Sequence, residues 1–203
     1  IALLAMCIFL VIFPTTRTTF LTPNNMFNIL RQNASNLFLA TGMTMVIILG
    51  GIELSVGSVI ALSGCVAAGC VVNLGLPEAV GFLAAILVGA IVGMFNGLVI
   101  CKTDIPPFIV TLASMNIAKG IARVYTQGAP IRCMTDAFKF PGAGYVGPVP
   151  TPVILMLIVF VIAALMINRT QLGRHIYAVG GNAQAAKFSG INVSKVKFIV
   201  YTY

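Results

Sequence analysis

Charge is what this sequence has least of. Only 8% of its 203 residues are Asp, Glu, Lys or Arg; acids number 4, histidine occurs once and tryptophan not at all. Soluble domains carry about 25% charged and about 45–50% apolar residues, whereas here the apolar share is 59% and the mean hydropathy +1.05. So few charges exclude a water-soluble fold of this length, because its surface could not be covered. Reactive motifs are missing as well. No G-x-x-x-x-G-K-[ST] loop is present to cradle a nucleotide, no H-E-x-x-H pair, no G-x-S-x-G elbow, and no pair of intramembrane carboxylates to share acid and base work. The chain is therefore expected to be no enzyme. Cys7, Cys65, Cys70, Cys101 and Cys133 form no C-x-x-C pair, and His175 has no partner ligands in its basic stretch. Neither a metal nor a cofactor is expected, and the cysteines read as small buried hydrophobes. The net charge of +8 comes from basic residues in the gaps between apolar blocks, which argues for juxtamembrane loops rather than a nucleic-acid face.

What is present is long apolar blocks. Charge-free runs cover Gln32–Ile52, Leu54–Pro77, Ala79–Cys101 and Phe140–Asn168, each long enough for the ~20 residues that cross a bilayer. The runs at Ile1–Phe13 and Phe198–Tyr203 are shorter, so the expectation is an all-α, polytopic membrane domain over 1–203, truncated at both ends. Pro14–Gln32 reads as a short interfacial lead-in helix. A second span runs from about Asn33 to Gly50 and Gly51, a third from about Ser58 to Leu74, and Gly75 with Pro77 make the next turn. In the fourth span Gly89, Gly93 and Gly97 recur every four residues, which puts them on one face suited to close helix packing, with Asn96 beside them as an interhelical hydrogen-bonding group. A fifth segment, Phe108–Tyr125, carries Lys119 and Arg123 on one face and is only partly compatible with lipid. Thr126–Pro152 reads as an extramembrane loop, followed by a sixth span over Pro152–Asn168. Arg169, Arg174, Lys187, Lys195 and Lys197 with no intervening acid place residues 169–197 in the cytoplasm. Counting back puts Lys102 inside and Arg17, Arg31, Arg132 and Lys139 outside.

Glu53 is the one charged residue between Gln32 and Pro77. It lies in Gly50-Gly51-Ile52-Glu53-Leu54-Ser55-Val56-Gly57-Ser58, where small residues let a helix break. An ionisable group between two spans is costly against lipid and by default faces protein or water. Broken helices are a common construction for transport paths. The candidate path residues are therefore Gly50, Gly51, Glu53, Ser55, Gly57, Ser58 and Asn96; the alternative for Glu53 is a loop carboxylate in the aqueous boundary.

The run GGIELSVGS closely resembles the GGIDLSVGS signature of permease subunits of bacterial ABC importers for ribose and related monosaccharides, with Glu53 in the usual Asp position. TPNNMFNILRQ, FIVTLASMNIAKGIARVYTQG and LGRHIYAVGGNAQAAKFSGINVSKVK agree in order and spacing, so the resemblance covers essentially the whole chain. Branched-chain amino acid permeases are more distant relatives. The resemblance implies a multi-pass permease of the bacterial cytoplasmic (inner) membrane that contacts lipid and works with a second permease copy, two cytoplasmic ATP-binding subunits and an external, periplasmic sugar-binding protein. It also implies that helices present in such permeases are missing after Tyr203. Gln184-Ala185-Ala186-x-x-x-Gly190 resembles the E-A-A-x-x-x-G pattern of importer coupling loops, with Gln184 in the Glu position. Gly180, Gly181, Asn182, Gln184, Ala185, Ala186 and Gly190 are thereby implied to couple to the ATPase, and a short helix over about Ala183–Phe188 is expected, capped by Asn182 and ended by Gly190. The rival reading is a passive channel or ion-coupled carrier with Glu53 as its ion site.

Overall fold

A computed structural model describes residues 1–133 and 135–203, with only the backbone at 14 and 15. Among the described residues it contains eleven helices and one two-stranded hairpin, in agreement with an all-α membrane fold. Helix α1 (Ala2–Ile12) buries none of its residues and is followed by α2 (Pro14–Phe20).

The lead-in stretch Pro14–Gln32 is divided: its first part is the separate α2, and the rest belongs to the span. After Thr22, whose hydroxyl accepts from the Asn25 amide, α3 runs unbroken over Pro23–Ile48. No Gly or Pro occurs from Asn24 to Thr41, so nothing interrupts the helix where the apolar block begins. Its 26 residues give about 39 Å at 1.5 Å per residue, more than the ~30 Å hydrocarbon layer, and the polar first third extends the span.

Two glycines end α3 in a Schellman arrangement. The Gly51 amide donates to the Val46 carbonyl and the Gly50 amide to Ile47, both at 2.9 Å, with Gly50 at φ +74°. The chain restarts as α4 (Val56–Val72), turns at Gly75 with φ +63° and continues as α5 (Glu78–Lys102). Next comes α6 (Pro107–Thr126), which packs parallel to α4.

The stretch over Thr126–Pro152, apart from residue 134, which lies outside the described residues, is not an irregular loop. It holds α7 (Asp136–Ala143) and a hairpin of β1 (Tyr145–Val146) and β2 (Val149–Pro150) turning through Gly147 at φ +61°. Helix α8 (Thr151–Arg169) follows. The basic stretch 169–197 is likewise mostly helical: α9 (Gln171–Gly181), α10 (Ala183–Phe188) and the start of α11 (Val193–Thr202).

By length and apolarity alone α5 and α8 can cross a membrane, and α1 and α4 are shorter apolar helices. The helix ends sort into two sets. At one end Phe82 stacks on Phe138, Arg31 donates to the Tyr145 hydroxyl at 3.2 Å, and Gly69 of α4 lies under the Tyr125 ring of α6. At the other end Met45, Val46, Ile100, Val110, Ala163, Ile176, Val179, Ala186, Val196, Val200 and Tyr201 share one core. That core draws on seven helices, so side-chain packing concentrates at the end where α9–α11 sit. Large apolar side chains elsewhere, such as Leu83, Ile86 and Phe160, remain exposed, as expected of surfaces that meet lipid.

The glycine stripe of α5 is used in part. A Cβ at Gly93 would lie 2.7 Å from the Tyr201 carbonyl oxygen, and one at Gly97 would lie 3.1 Å from that of Phe198, so α11 approaches backbone to backbone. Gly89 does not share this contact: its nearest neighbour would be the Ser63 hydroxyl at 4.0 Å. The cysteines also depart from expectation. All five are free and only half-buried, and Cys101 donates to the Ser194 carbonyl at 3.0 Å.

Candidate functional site: a clamped helix break beneath the α9–α11 segment

The break between α3 and α4 leaves Glu53 just ahead of the α4 amino terminus, where free amides and the helix dipole favour negative charge. One carboxylate oxygen accepts from the Ser55 amide at 2.7 Å and from the Ser55 hydroxyl at 2.5 Å. The other accepts from the Asn96 amide at 3.3 Å, and the same amide reaches the Ser55 oxygen at 3.2 Å. Asn96, 1% exposed, is fixed in turn by the Ser114 hydroxyl of α6, which donates to its Oδ1. Every donor in this chain of contacts points toward the carboxylate. Thr111, fully buried on α6, donates to the Ile52 carbonyl at 3.2 Å and satisfies the backbone that the break sets free.

The structure therefore brings Glu53, Ser55 and Asn96 together and gives Gly50 and Gly51 the conformational work of the break. Gly57 and Ser58 are not part of this cluster; they line a separate groove between α4 and α6. Reasoning from sequence missed Thr111, Ser114 and Tyr201. The polar Thr111 and Ser114 recur with Ala118 and Ala122 at helical spacing, a small-residue face that would have flagged the first two. Tyr201 carried no such signal, because its partner Gly51 is remote in sequence.

Two contacts press the α9–α11 segment onto the break. A Cβ at Gly180 of α9 would overlap the Ile48 carbonyl at the end of α3, and a Cβ at Gly51 would overlap the Tyr201 hydroxyl of α11. Tyr201 is 6% exposed, and its hydroxyl has no hydrogen-bond partner among the described residues. Asn182 caps α10 by accepting from the Ala185 amide at 2.9 Å, and Gly190 closes the turn after it at φ +84°. Gln184 and Ala185 are exposed and Gly181 has open space around it, whereas Ala186 is buried in the shared core. Phe188 is 90% exposed.

A cavity of about 450 Å3 opens between α3, α4, α5 and α11, with Glu53, Ser55 and Asn96 at its polar end and side chains such as Phe38, Ile60 and Ile86 as walls. Among the described residues no group of three His, Cys, Asp or Glu side chains could hold a metal ion.

The chain is similar in sequence to known transport proteins. The chain is 43% identical over 99% of its length to the ribose import permease protein of Escherichia coli K12 and 42% identical over 98% to that of Bacillus subtilis 168. It is 36% identical over 90% to the D-allose transport system permease protein of Escherichia coli K12. It spans 64%, 62% and 56% of those proteins' own lengths. No solved structure matches the chain. The family model for the branched-chain amino acid transport system / permease component matches residues 25–203, and the chain is accordingly a member of that family of transport permeases of the cytoplasmic (inner) membrane.

Proposed function

We propose that this chain is the membrane-spanning permease part of an ATP-driven importer for ribose-type pentoses and hexoses. The observation that carries the reading is the identity to the ribose import permease protein, 43% over 99% of the chain. The allose protein adds a second sugar permease. Hydrolysis of ATP belongs to separate cytoplasmic subunits, because the chain has no phosphate-cradling loop. A second permease copy and an external sugar-binding protein complete the assembly.

In this reading the whole of 1–203 is one permease domain and residues 169–197 form its cytoplasmic coupling element. Gln184, Ala185 and Phe188 present its docking surface, while Gly180, Gly181, Asn182, Ala186 and Gly190 shape it. Closure of the ATPases pushes α9 and α11 against the break at Ile48 and Gly51. Glu53, Ser55 and Asn96 hold that break together, and Gly57 and Ser58 face the path. The geometry supports this because α9 and α11 touch the break from two sides.

Uptake of radiolabelled sugars by proteoliposomes holding the full assembly tests the function. Ribose accumulation that needs ATP is the expected result; uptake indifferent to ATP would replace the importer by a channel or ion-coupled carrier. Glu53→Leu should abolish most uptake while Glu53→Asp keeps part of it. Normal transport by Glu53→Leu would remove the break from the mechanism.

A further inference from the structure

Helix α6 carries two cations that the clamped break does not use. Counting about 1.5 Å per residue, Lys119 lies about 18 Å and Arg123 about 24 Å along a helix of about 30 Å. Parallel packing against α4 runs from Thr111 near Ile52 to Tyr125 over Gly69, so α6 crosses the bundle as α4 does, with Lys119 in its second half and Arg123 in its last turn. The helix has three sectors. Thr111, Ser114, Ala118 and Ala122 are buried, Ile117 and Ile121 form an exposed apolar face, and Lys119 with Arg123 share a third direction, with Val124 at the edge of the same groove.

That third direction opens on a groove of about 830 Å3 along the α4–α6 seam, reaching from Gly57 at one end to Gly128 at the other. Its α4 wall is Gly57, Ser58, Ala61 and Cys65, all small, so the trough stays open beside the two cations. None of its described lining residues is acidic. Charged side chains on a helix of an apolar bundle are expensive against lipid and face protein interior or water. A groove lined by the first half of α4 and the second half of α6 that carries hydrogen-bond donors can admit a hydrated solute, and its volume is within the ~300–1,000 Å3 of small-molecule sites.

We propose that the α4–α6 groove is the water-filled wall of the translocation path, and that Lys119 and Arg123 donate hydrogen bonds to the hydroxyl oxygens of a polyhydroxylated solute passing Ser58. The inference rests on the importer reading and deepens it by naming the solute-facing surface. Lys119 supplies three rotatable donors and Arg123 five in a planar fork, while Ser58 can donate or accept. Such contacts are strong enough to select a polyol over an apolar solute and are distributed along the groove, so no single deep site holds it.

The test uses the full-length permease with its partner subunits in liposomes, with native cysteines replaced. Single cysteines are placed by Lys119→Cys, Arg123→Cys and Ser58→Cys, with Ile117→Cys on the apolar sector of the same helix as control. The groove cysteines should react with a charged, membrane-impermeant methanethiosulfonate at least about tenfold faster than the control, and D-ribose at saturating concentration should slow them. Reaction as slow as at Ile117→Cys overturns the proposal. So does fast reaction indifferent to ribose in an assembly that imports ribose, including the case where anionic lipid alone protects the thiols. In uptake assays Lys119→Met should raise KM by about tenfold while Lys119→Arg restores it; a change in kcat alone would count against contact with the solute. Absence of all sugar uptake would defeat the importer reading separately, and the thiol rates would still decide whether the groove holds water.

Discussion

Asn96, in the middle of the interhelical packing of α5, donates its side-chain amide to the carboxylate of Glu53 at 3.3 Å and so ties the break between α3 and α4 to the next span. The bond crosses 43 residues of sequence and is locked from behind by Ser114. Replacing Asn96 by Leu keeps the volume and removes the donor. A hydrogen bond to a charged group contributes about 1.5–3 kcal/mol, so Asn96→Leu should lower the midpoint of thermal unfolding in detergent and reduce transport. Asn96→Asp should be worse than Leu in transport, because a second carboxylate then faces Glu53. An unchanged unfolding midpoint in both variants would show that the network does not hold the break.

Gly180 has no room for a side chain, because α9 lies on the Ile48 carbonyl. Gly180→Val should therefore displace α9 or the end of α3, at a cost in the range of about 1–3 kcal/mol for overpacking, and lower the yield of folded protein. Gly181→Ala, next in sequence but with open space around it, should be close to neutral. Equal yields for the two variants, read by size-exclusion chromatography of membranes extracted in mild detergent, would contradict the contact.

On α5 the glycine stripe divides. Gly93→Val and Gly97→Val should each destabilise through collision with the α11 backbone, whereas Gly89→Ala should be tolerated, since its nearest neighbour is 4.0 Å away. Thermal unfolding of the three variants side by side checks the difference. Of the three, Gly93 has the shortest approach and should lose most.

The exposed surface of α10 gives the clearest test of sidedness. A cysteine at Gln184, in a background without others, should label only from the cytoplasmic side; labelling from outside would invert the topology. Phe188→Ala and Ala185→Trp should weaken capture of the ATPase subunits while leaving the folded yield intact, because both positions are exposed. Ala186 is unsuitable for this purpose. It is 4% exposed inside the shared core, so Ala186→Trp should lower folding itself.

Composition and run length were enough to establish a membrane-spanning, helical chain, because the ~30 Å apolar layer imposes its own thickness on the sequence. Local chemistry also made individual ends legible. Gly50 and Gly51 end α3, Gly75 turns between α4 and α5, and Asn182 with Gly190 bracket α10, since capping and left-handed φ depend on a few neighbouring residues. Where no local signal is present the sequence is silent: with no breaker between Asn24 and Thr41 the second part of the lead-in joins the span, and the helical and hairpin elements between Thr126 and Pro152 depend on packing against α8 and α5.

The candidate site was half legible for the same reason. Glu53 stood out as a lone charge among apolar residues, and Asn96 as a polar group in a glycine-lined span. That these two meet, that Ser114 and Thr111 complete them, and that Gly57 and Ser58 turn away to face Lys119 and Arg123 was decided only by the tertiary structure. Hydropathy records which residues avoid lipid and says nothing of which partner they find, because a buried polar group can be satisfied by any donor that the crossing helices bring within reach. The same holds for Tyr201 on Gly51 and Gly180 on Ile48: the absence of a side chain is written in the sequence, and the backbone that fills its place is supplied by the fold.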